Sequence, residues 1–359
     1  MIEELLPPKE FYNSTLDWVK STGNEENLIE IYPEVKIPEV SNIEEDKIIE
    51  GKSEYSNKGF VVIAPGGRVL FDKAVISPDN KLLWDVSLEY LKTPEMHSIF
   101  KEENLPPITM TEETVAVLNH PAANNFYHWM IETLARIHLI QASNIKIDKY
   151  IINHDSLPFQ LETLRAVGIS EDRIIVPHNN FHLKAKQLII PSFIDYPNAW
   201  TCKFVRDLLL NHDKIQKNTE YDRIYIARKK RRRVKNEQEI LDVLNKYGFK
   251  SIMLEYMTLQ EQIEVFHSAK IVIGAHGAGL ANLVFSAPGT KVIELFGSQY
   301  INAQYWFISR HMNLDYRFII ESRKKVNRKR KRKKRRHKTW SGYKDMEIGI
   351  EEIIKMLEQ

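Results

Sequence analysis

The sequence has a single cysteine, Cys202, among 359 residues. One thiol excludes an intrachain disulfide framework and any zinc site built from several cysteines. Nowhere do about 18 apolar residues run together, the length that a membrane-spanning helix needs. The opening "MIEELLPPKEF" is acidic and broken by prolines, and reads as neither a signal peptide nor a transit peptide. A soluble, cytoplasmic chain is expected. Its hydrophobic fraction of 43% is ordinary, and its length suits two cores better than one.

Acid is absent from one place and crowded into another. Residues 323–338, "RKKVNRKRKRKKRRHK", hold 13 Lys or Arg and no acid, which leaves the rest of the chain at −10 against an overall +3. The first 54 residues carry 14 acids and five lysines. So basic a run is expected as a solvated, disordered loop. It suits an anionic membrane surface, where each cation contributes about 1 kcal/mol. It suits nucleic acid or nuclear import equally well, and the acidic N-terminal stretch is a third partner.

Short β-branched runs and turn signals begin at "GFVVIAPGGRVLFDKAVI", then alternate with helical patterns to "KQLIIPSF". A second α/β stretch runs from "DRIYIARK" to "KVIELF", strands separated by helices of about a dozen residues, as in βαβ units with a parallel sheet. The expected division is an acidic arm over 1–55, a first lobe over 56–210, a second over 211–322, the basic loop at 323–338 and a C-terminal helix within 339–359. Two α/β halves imply a cleft, and ligands favour such places.

Three motifs carry chemistry. In "IVIGAHGAGLANLVFSAPGTKVIELF" an apolar strand ends at His276, and Gly274, Gly277 and Gly279 let the backbone turn and approach a ligand. The helix start that follows offers N–H groups and a positive dipole end to phosphate. The spacing is not the dinucleotide fingerprint, so the glycines alone leave phosphate binding and tight strand-to-helix packing both open. Glu294, at the end of the next strand, has the geometry of a ribose ligand or of a solvated terminus. In "RIYIARKKRRRVKNEQEI" a strand leads into seven cations, of which Arg228 and Arg232 or Arg233 are placed to grip a diphosphate through guanidinium forks. In "NNFYHWMIETLARIHLI" His128, Glu132 and Arg136 share one helical ridge, an imidazole and a carboxylate that suit a general base and its neighbour. Half a metal site has the same spacing, but no second cluster matches it.

The three motifs in this order resemble glycosyltransferase family 61, over roughly residues 60 to 320. The resemblance implies a GT-B fold of two Rossmann-like lobes facing across a cleft, and inverting transfer from a nucleotide-sugar donor, a UDP-sugar. It implies Glu132 as the base, with His128 beside it, acting on a glycan or lipid-linked acceptor in surface or capsular polysaccharide synthesis. It places Arg228, Arg232, Arg233, His276, Gly277, Ala278, Gly279, Leu280 and Asn282 at the donor diphosphate and sugar, and Glu294 at the ribose. No Asp-x-Asp occurs, the pattern by which many transferases hold a divalent ion on the diphosphate. Protein cations would take its place, so no metal and no other cofactor is expected. The C-terminal helix would cross back to the first lobe. A nucleic-acid-binding protein using the basic runs, and a catalytically silent relative that keeps the donor lobe, are the rival readings.

Overall fold

The computed structural model describes residues 6–37, 55–211, 215, 217–321 and 344–358, so the basic run at 323–338 lies outside the described residues. The described residues up to Tyr196 form one compact unit, and those from Pro197 onward form another.

In the first unit, strand β1 (Phe11–Tyr12) leads into helix α1 (Thr15–Thr22). Ser14 caps the helix by accepting the Asp17 N–H on its Oγ at 3.1 Å. Gly23, at φ 65°, ends it in the left-handed conformation that glycine adopts without strain. Trp18 and Val19 of α1 are buried in the same core as Phe60, Val62 and Val117. Strand β2 (Leu28–Tyr32) pairs antiparallel with β3 (Gly59–Pro65). The described part of the acidic stretch is therefore packed into the core and the sheet, not the loose arm its charge suggests. A charge count cannot see that the apolar residues of α1 fall on one face.

Strands β4 (Arg68–Leu70), β5 (Ala74–Ile76) and β6 (Leu82–Leu83) extend the sheet antiparallel. Its other half is parallel. There β7 (Thr109–Val117) is followed by a π-helical turn (His128–Thr133) and α2 (Leu134–Ala142), then by β8 (Lys149–Ile151). Helix α3 (Pro158–Ala166), β9 (Ile174–Ile175) and β10 (His182–Pro191) complete the unit, in the order β10-β7-β8-β9. The chain leaves β7 toward β8 on one side, while β10 lies on the other. The C-terminal ends of β7 and β10 thus flank a switch point, where open α/β sheets leave a crevice.

The second unit begins with α4 (Ala199–Leu209), which buries Cys202 and Val205. Arg206 of this helix donates to the carbonyls of Val284 and Ser286 at 2.6 and 2.8 Å. The helix assigned by its sequence to the first lobe therefore belongs to the second core, and the boundary falls at Tyr196–Pro197. Next come β11 (Arg223–Ile226), α5 (Glu237–Lys246), β12 (Lys250–Ile252), α6 (Leu259–Ser268) and β13 (Ile271–Ala275). A 3₁₀ helix (Ala278–Phe285), β14 (Lys291–Phe296), α7 (Gln304–His311) and β15 (Asp315–Ile320) follow. All five strands are parallel, in the doubly wound order β12-β11-β13-β14-β15, with the switch point between β11 and β13. Helix α8 (Ile350–Glu358) packs Ile353 into the core that holds Leu244 and Ile319. Ile350, Met356 and Leu357 pack partly buried against the same core, so the helix lies on its own unit in place of the expected crossing back. The α/β class read from the alternating strands and helices is the class observed.

Candidate functional site

Each switch point collects a histidine and a glutamate. In the first unit the chain runs three residues past β7 to His120, whose ring stacks on Phe193, just beyond β10, at 5.5 Å and 10°. The Ala122 N–H donates to His120 Nδ1 at 3.0 Å, so the neutral ring carries its proton on Nε2. That nitrogen lies 2.6 Å from Glu132 Oε2, close but off the hydrogen-bonding axis. His128 Nδ1 meets the same oxygen at 2.7 Å with good alignment, and its ring stacks on His120 at 5.0 Å. Both His128 and Glu132 come from the π-helical turn, where the Leu134 N–H reaches back five residues to the Trp129 carbonyl. Such wide turns recur at functional sites because they re-aim side chains within a helix.

The predicted ridge is real but faces inward. Glu132 is 4% exposed and Arg136 is fully buried. Arg136 donates to the Asn119 carbonyl at 3.0 Å and the Val117 carbonyl at 2.9 Å, filling the end of β7 with a cation. Burial lowers its pKa to about 10, which leaves it charged at neutral pH. For Glu132, burial alone would raise the pKa, but the two imidazoles outweigh it and hold the carboxyl below its ordinary value. Burial pushes His120 down, so its ring is neutral. His128 is the member of the trio with an open side, 22% of its side chain being exposed. In the neutral tautomer that donates Nδ1–H to the carboxylate, the lone pair lies on Nε2.

The nearest ligand atoms of His120, His128 and Glu132 all lie within 4.8 Å of one another, a spacing a cation accepts. The proton arrangement fits less well. A metal on His120 Nε2 needs the ring proton on Nδ1, and Nδ1 is already an acceptor. The trio is better suited to holding and moving a proton.

In the second unit β11 delivers Arg228 and β13 delivers His276 to the switch point. Arg228 Nη1 donates to the His276 carbonyl at 2.8 Å, and Arg232 Nη1 reaches the same oxygen at 3.4 Å. Burial and the charge of Arg232 together lower the pKa of Arg228. Arg231 and Arg232 have φ of 42° and 55°, a left-handed turn that strains both residues. The turn carries the Arg232 guanidinium over the Tyr300 ring at 4.7 Å. Gly277 makes room for Arg228: a Cβ there would lie 1.3 Å from its Nη1. A Cβ on Gly279 would meet Leu254 Cδ1 at 2.6 Å. The glycines thus serve tight packing and the housing of a cation at once.

Several predicted ligands have other work. The Leu280 N–H donates to the Gly277 carbonyl at 2.9 Å, within the short helix that begins at Ala278. Asn282 is buried, and its Nδ2 donates to Gln262 Oε1 at 2.8 Å and to the Gly279 carbonyl at 3.0 Å. Arg233 is paired with Asp345 at 2.9 Å, pinning the segment before α8. Glu294 is wholly buried: Oε1 lies 2.5 Å from His276 Nδ1, and Oε2 accepts the Tyr316 hydroxyl at 2.5 Å. Neither oxygen is open to a ribose. Burial pushes Glu294 well above its ordinary pKa, and burial with the two arginines pushes His276 well below. Both are neutral, with one proton between Oε1 and Nδ1. The His276 ring stacks on Phe296 at 5.3 Å, and the residue lines a small cavity with Arg232, Lys235, Tyr300, Glu321 and Lys344.

His120 and Phe193 are functional candidates that sequence reasoning missed. The signal was present: His120 ends "TVAVLNH" as His276 ends "IVIGAH", a polar residue where an apolar strand stops.

Residues 126–293 match the family model described as Glycosyltransferase 61. Beta-1,2-xylosyltransferase RCN11 of Oryza sativa subsp. japonica is 35% identical over 95 residues, which is 24% of this chain and 18% of that protein. Beta-1,2-xylosyltransferase of Arabidopsis thaliana is 28% identical over 97 residues, 23% of this chain and 18% of that protein. The matched part therefore spans less than a fifth of either relative. Over that stretch, which includes His128, Glu132, Arg228 and His276, the chain is similar to glycosyltransferase family 61.

Proposed function

We propose that this chain, as a member of glycosyltransferase family 61, transfers a sugar from a UDP-sugar to a hydroxyl group of a glycan or lipid-linked acceptor, with inversion and without a metal ion. The two units are taken as the lobes of a GT-B enzyme, the first carrying the base and the second the donor. The observation that supports this most is the convergence of Arg228 and Arg232 on one strand-end carbonyl at a switch point. Like charges held together favour an anion between them, and a diphosphate offers paired oxygens to guanidinium forks.

In the transfer, His128 Nε2 takes the acceptor's proton as the acceptor oxygen attacks the anomeric carbon. The bond from that carbon to the diphosphate oxygen breaks, and its electron pair leaves with the diphosphate. Arg228 and Arg232 stabilise the charge that grows there. Glu132 fixes the His128 tautomer and stabilises the imidazolium that forms. The base is thus His128 instead of Glu132, because a buried carboxylate held ionised is a poor proton acceptor and an open imidazole is a good one. Metal independence rests on the two arginines and on the His120 tautomer, not on an empty site. The cellular setting of this reading is surface-glycan synthesis on the cytoplasmic face of a membrane, with residues 323–338 meeting anionic lipid.

The test is turnover of UDP-sugars in excess chelator, with the anomeric configuration of the product read by proton NMR. UDP-xylose comes first, given the names of the two relatives. Inverted product and undiminished turnover are expected. A donor at about a hundredfold excess over its Kd should also stabilise the fold by about 2.7 kcal/mol. No stabilisation and no turnover with any nucleotide sugar would sink the proposal.

A further inference from the structure

Beside the His120–His128 stack stands a turn that the transfer step does not use. The Lys92 N–H donates to the Glu89 carbonyl at 3.3 Å, closing a four-residue turn with Tyr90 and Leu91 at its corners. Leu91 has φ 65°, a conformation easy for glycine and strained for leucine. Its side chain does not repay that strain by packing, since the residue is 88% exposed. The turn is anchored by Glu89. Oε1 lies 2.9 Å from Lys73 Nζ and accepts the Ser98 hydroxyl at 2.6 Å. Oε2 accepts Lys92 Nζ at 2.6 Å and the Ser98 N–H at 2.8 Å. Burial alone would raise the Glu89 pKa, but the two ammonium groups and Ser98 outweigh it and hold the carboxyl far below the usual range. An ionised anchor with both oxygens engaged fixes the strained turn and whatever it presents.

What it presents is Tyr90. The residue is 52% exposed, yet its ring lies 6.1 Å from the His128 ring and 6.5 Å from that of His120. Strain that persists next to a functional group is usually kept for its geometry. We propose that Tyr90 is an acceptor platform, on which the C–H face of a pyranose lies while an edge hydroxyl reaches His128 Nε2. A pyranose matches this arrangement because it has a flat apolar face and hydroxyls around its rim. A serine or threonine side chain has no such face, so the acceptor class is a saccharide, not a protein hydroxyl. This identification of the acceptor rests on the transferase reading of the site.

The experiment is saturation-transfer NMR of the full chain with the methyl pyranosides of xylose, mannose, galactose and N-acetylglucosamine, for the unaltered chain, Tyr90→Ala and Tyr90→Phe. At least one glycoside should show saturation concentrated on the ring C–H protons of one face. Tyr90→Ala should weaken its binding about tenfold, the scale of one aromatic contact, and Tyr90→Phe should keep it within about twofold. Equal saturation in Tyr90→Ala, or none from any glycoside, overturns the platform. The readout is binding, so the two readings fail separately. Tyr90-dependent binding in a chain that turns over no nucleotide sugar keeps the platform and removes the transferase. Full turnover with an unchanged acceptor KM in Tyr90→Ala removes the platform and keeps the transferase.

Discussion

The first unit's His–Glu cluster and the second unit's His–Glu pair occupy equivalent places, each at the switch point of its own sheet, and hold their protons in opposite ways. Glu132 has two imidazoles and is ionised despite its burial, because their attraction outweighs desolvation. Glu294 has one imidazole and a tyrosine, and desolvation wins, so carboxyl and ring are both neutral. The arginines are reversed as well. Arg136 is bonded to strand-end carbonyls and completes a core, whereas Arg228 shares one carbonyl with a second cation. On the proposed reading, the same residue types make a charged proton relay in one place and a neutral brace beside a cationic cradle in the other. What separates them is the kind of partner, two imidazoles against one imidazole and a tyrosine, not the degree of burial.

The largest expected effect tests that contrast on the carboxylates. Glu132→Gln removes a charge that orients and stabilises His128, so turnover should fall by about 10²- to 10⁴-fold with nucleotide binding unchanged. Glu294→Gln replaces a protonated acid with a neutral amide of the same shape, so turnover should stay within about threefold. Steady-state rates with titrated nucleotide affinity decide it. Equal losses in the two variants would erase the distinction between relay and brace.

Next come the arginines. Arg228→Ala should weaken UDP binding about 10- to 100-fold, the range for losing a charged hydrogen bond to a ligand. Its midpoint in urea should move less than that of Arg136→Ala, because only one carbonyl loses a donor and Arg232 also reaches it. Arg136→Ala takes donors from two buried carbonyls, at about 1–3 kcal/mol each. That variant should lose stability before it loses nucleotide affinity. Calorimetric titration with UDP and urea unfolding of both variants make the comparison, and a large affinity loss in Arg136→Ala would break it.

How far the sequence foretold these sites follows from distance and face. The turn at Gly274 to Gly279 and the delivery of Arg228 were legible because a strand, a loop and a helix lie within one local stretch. The spacing of His128 and Glu132 also put them on one ridge correctly. Periodicity could not say that the ridge faces inward, since Arg136 finds its carbonyls 17 and 19 residues back in the chain. Glu294 misled for a related reason. It sits between Ile293 and Leu295 in a parallel strand buried on both faces, where inside and outside do not alternate. Arg233 read as a phosphate ligand because its carboxylate, Asp345, lies 112 residues away.

The smallest effect sharpens the comparison through pH. Glu132 has a folded pKa below its ordinary 4.5, so it adds stability that is present above that value and lost as pH falls through the lower folded one. Glu294 has a folded pKa well above 4.5, so its contribution is full below that value and declines as pH rises toward the folded one. Each slope has a ceiling of about 1.4 kcal/mol per pH unit, one proton's worth. His276, depressed, adds a loss of stability as pH falls below 6.5, where the unfolded ring takes a proton that the folded ring refuses. Urea midpoints between pH 5 and 8 should therefore fall less steeply in Glu294→Gln than in the unaltered chain. The acid limb below pH 4.5 should flatten in Glu132→Gln. If both variants tilt the same way, the two glutamates hold their protons alike, and the division of the molecule into relay and brace fails.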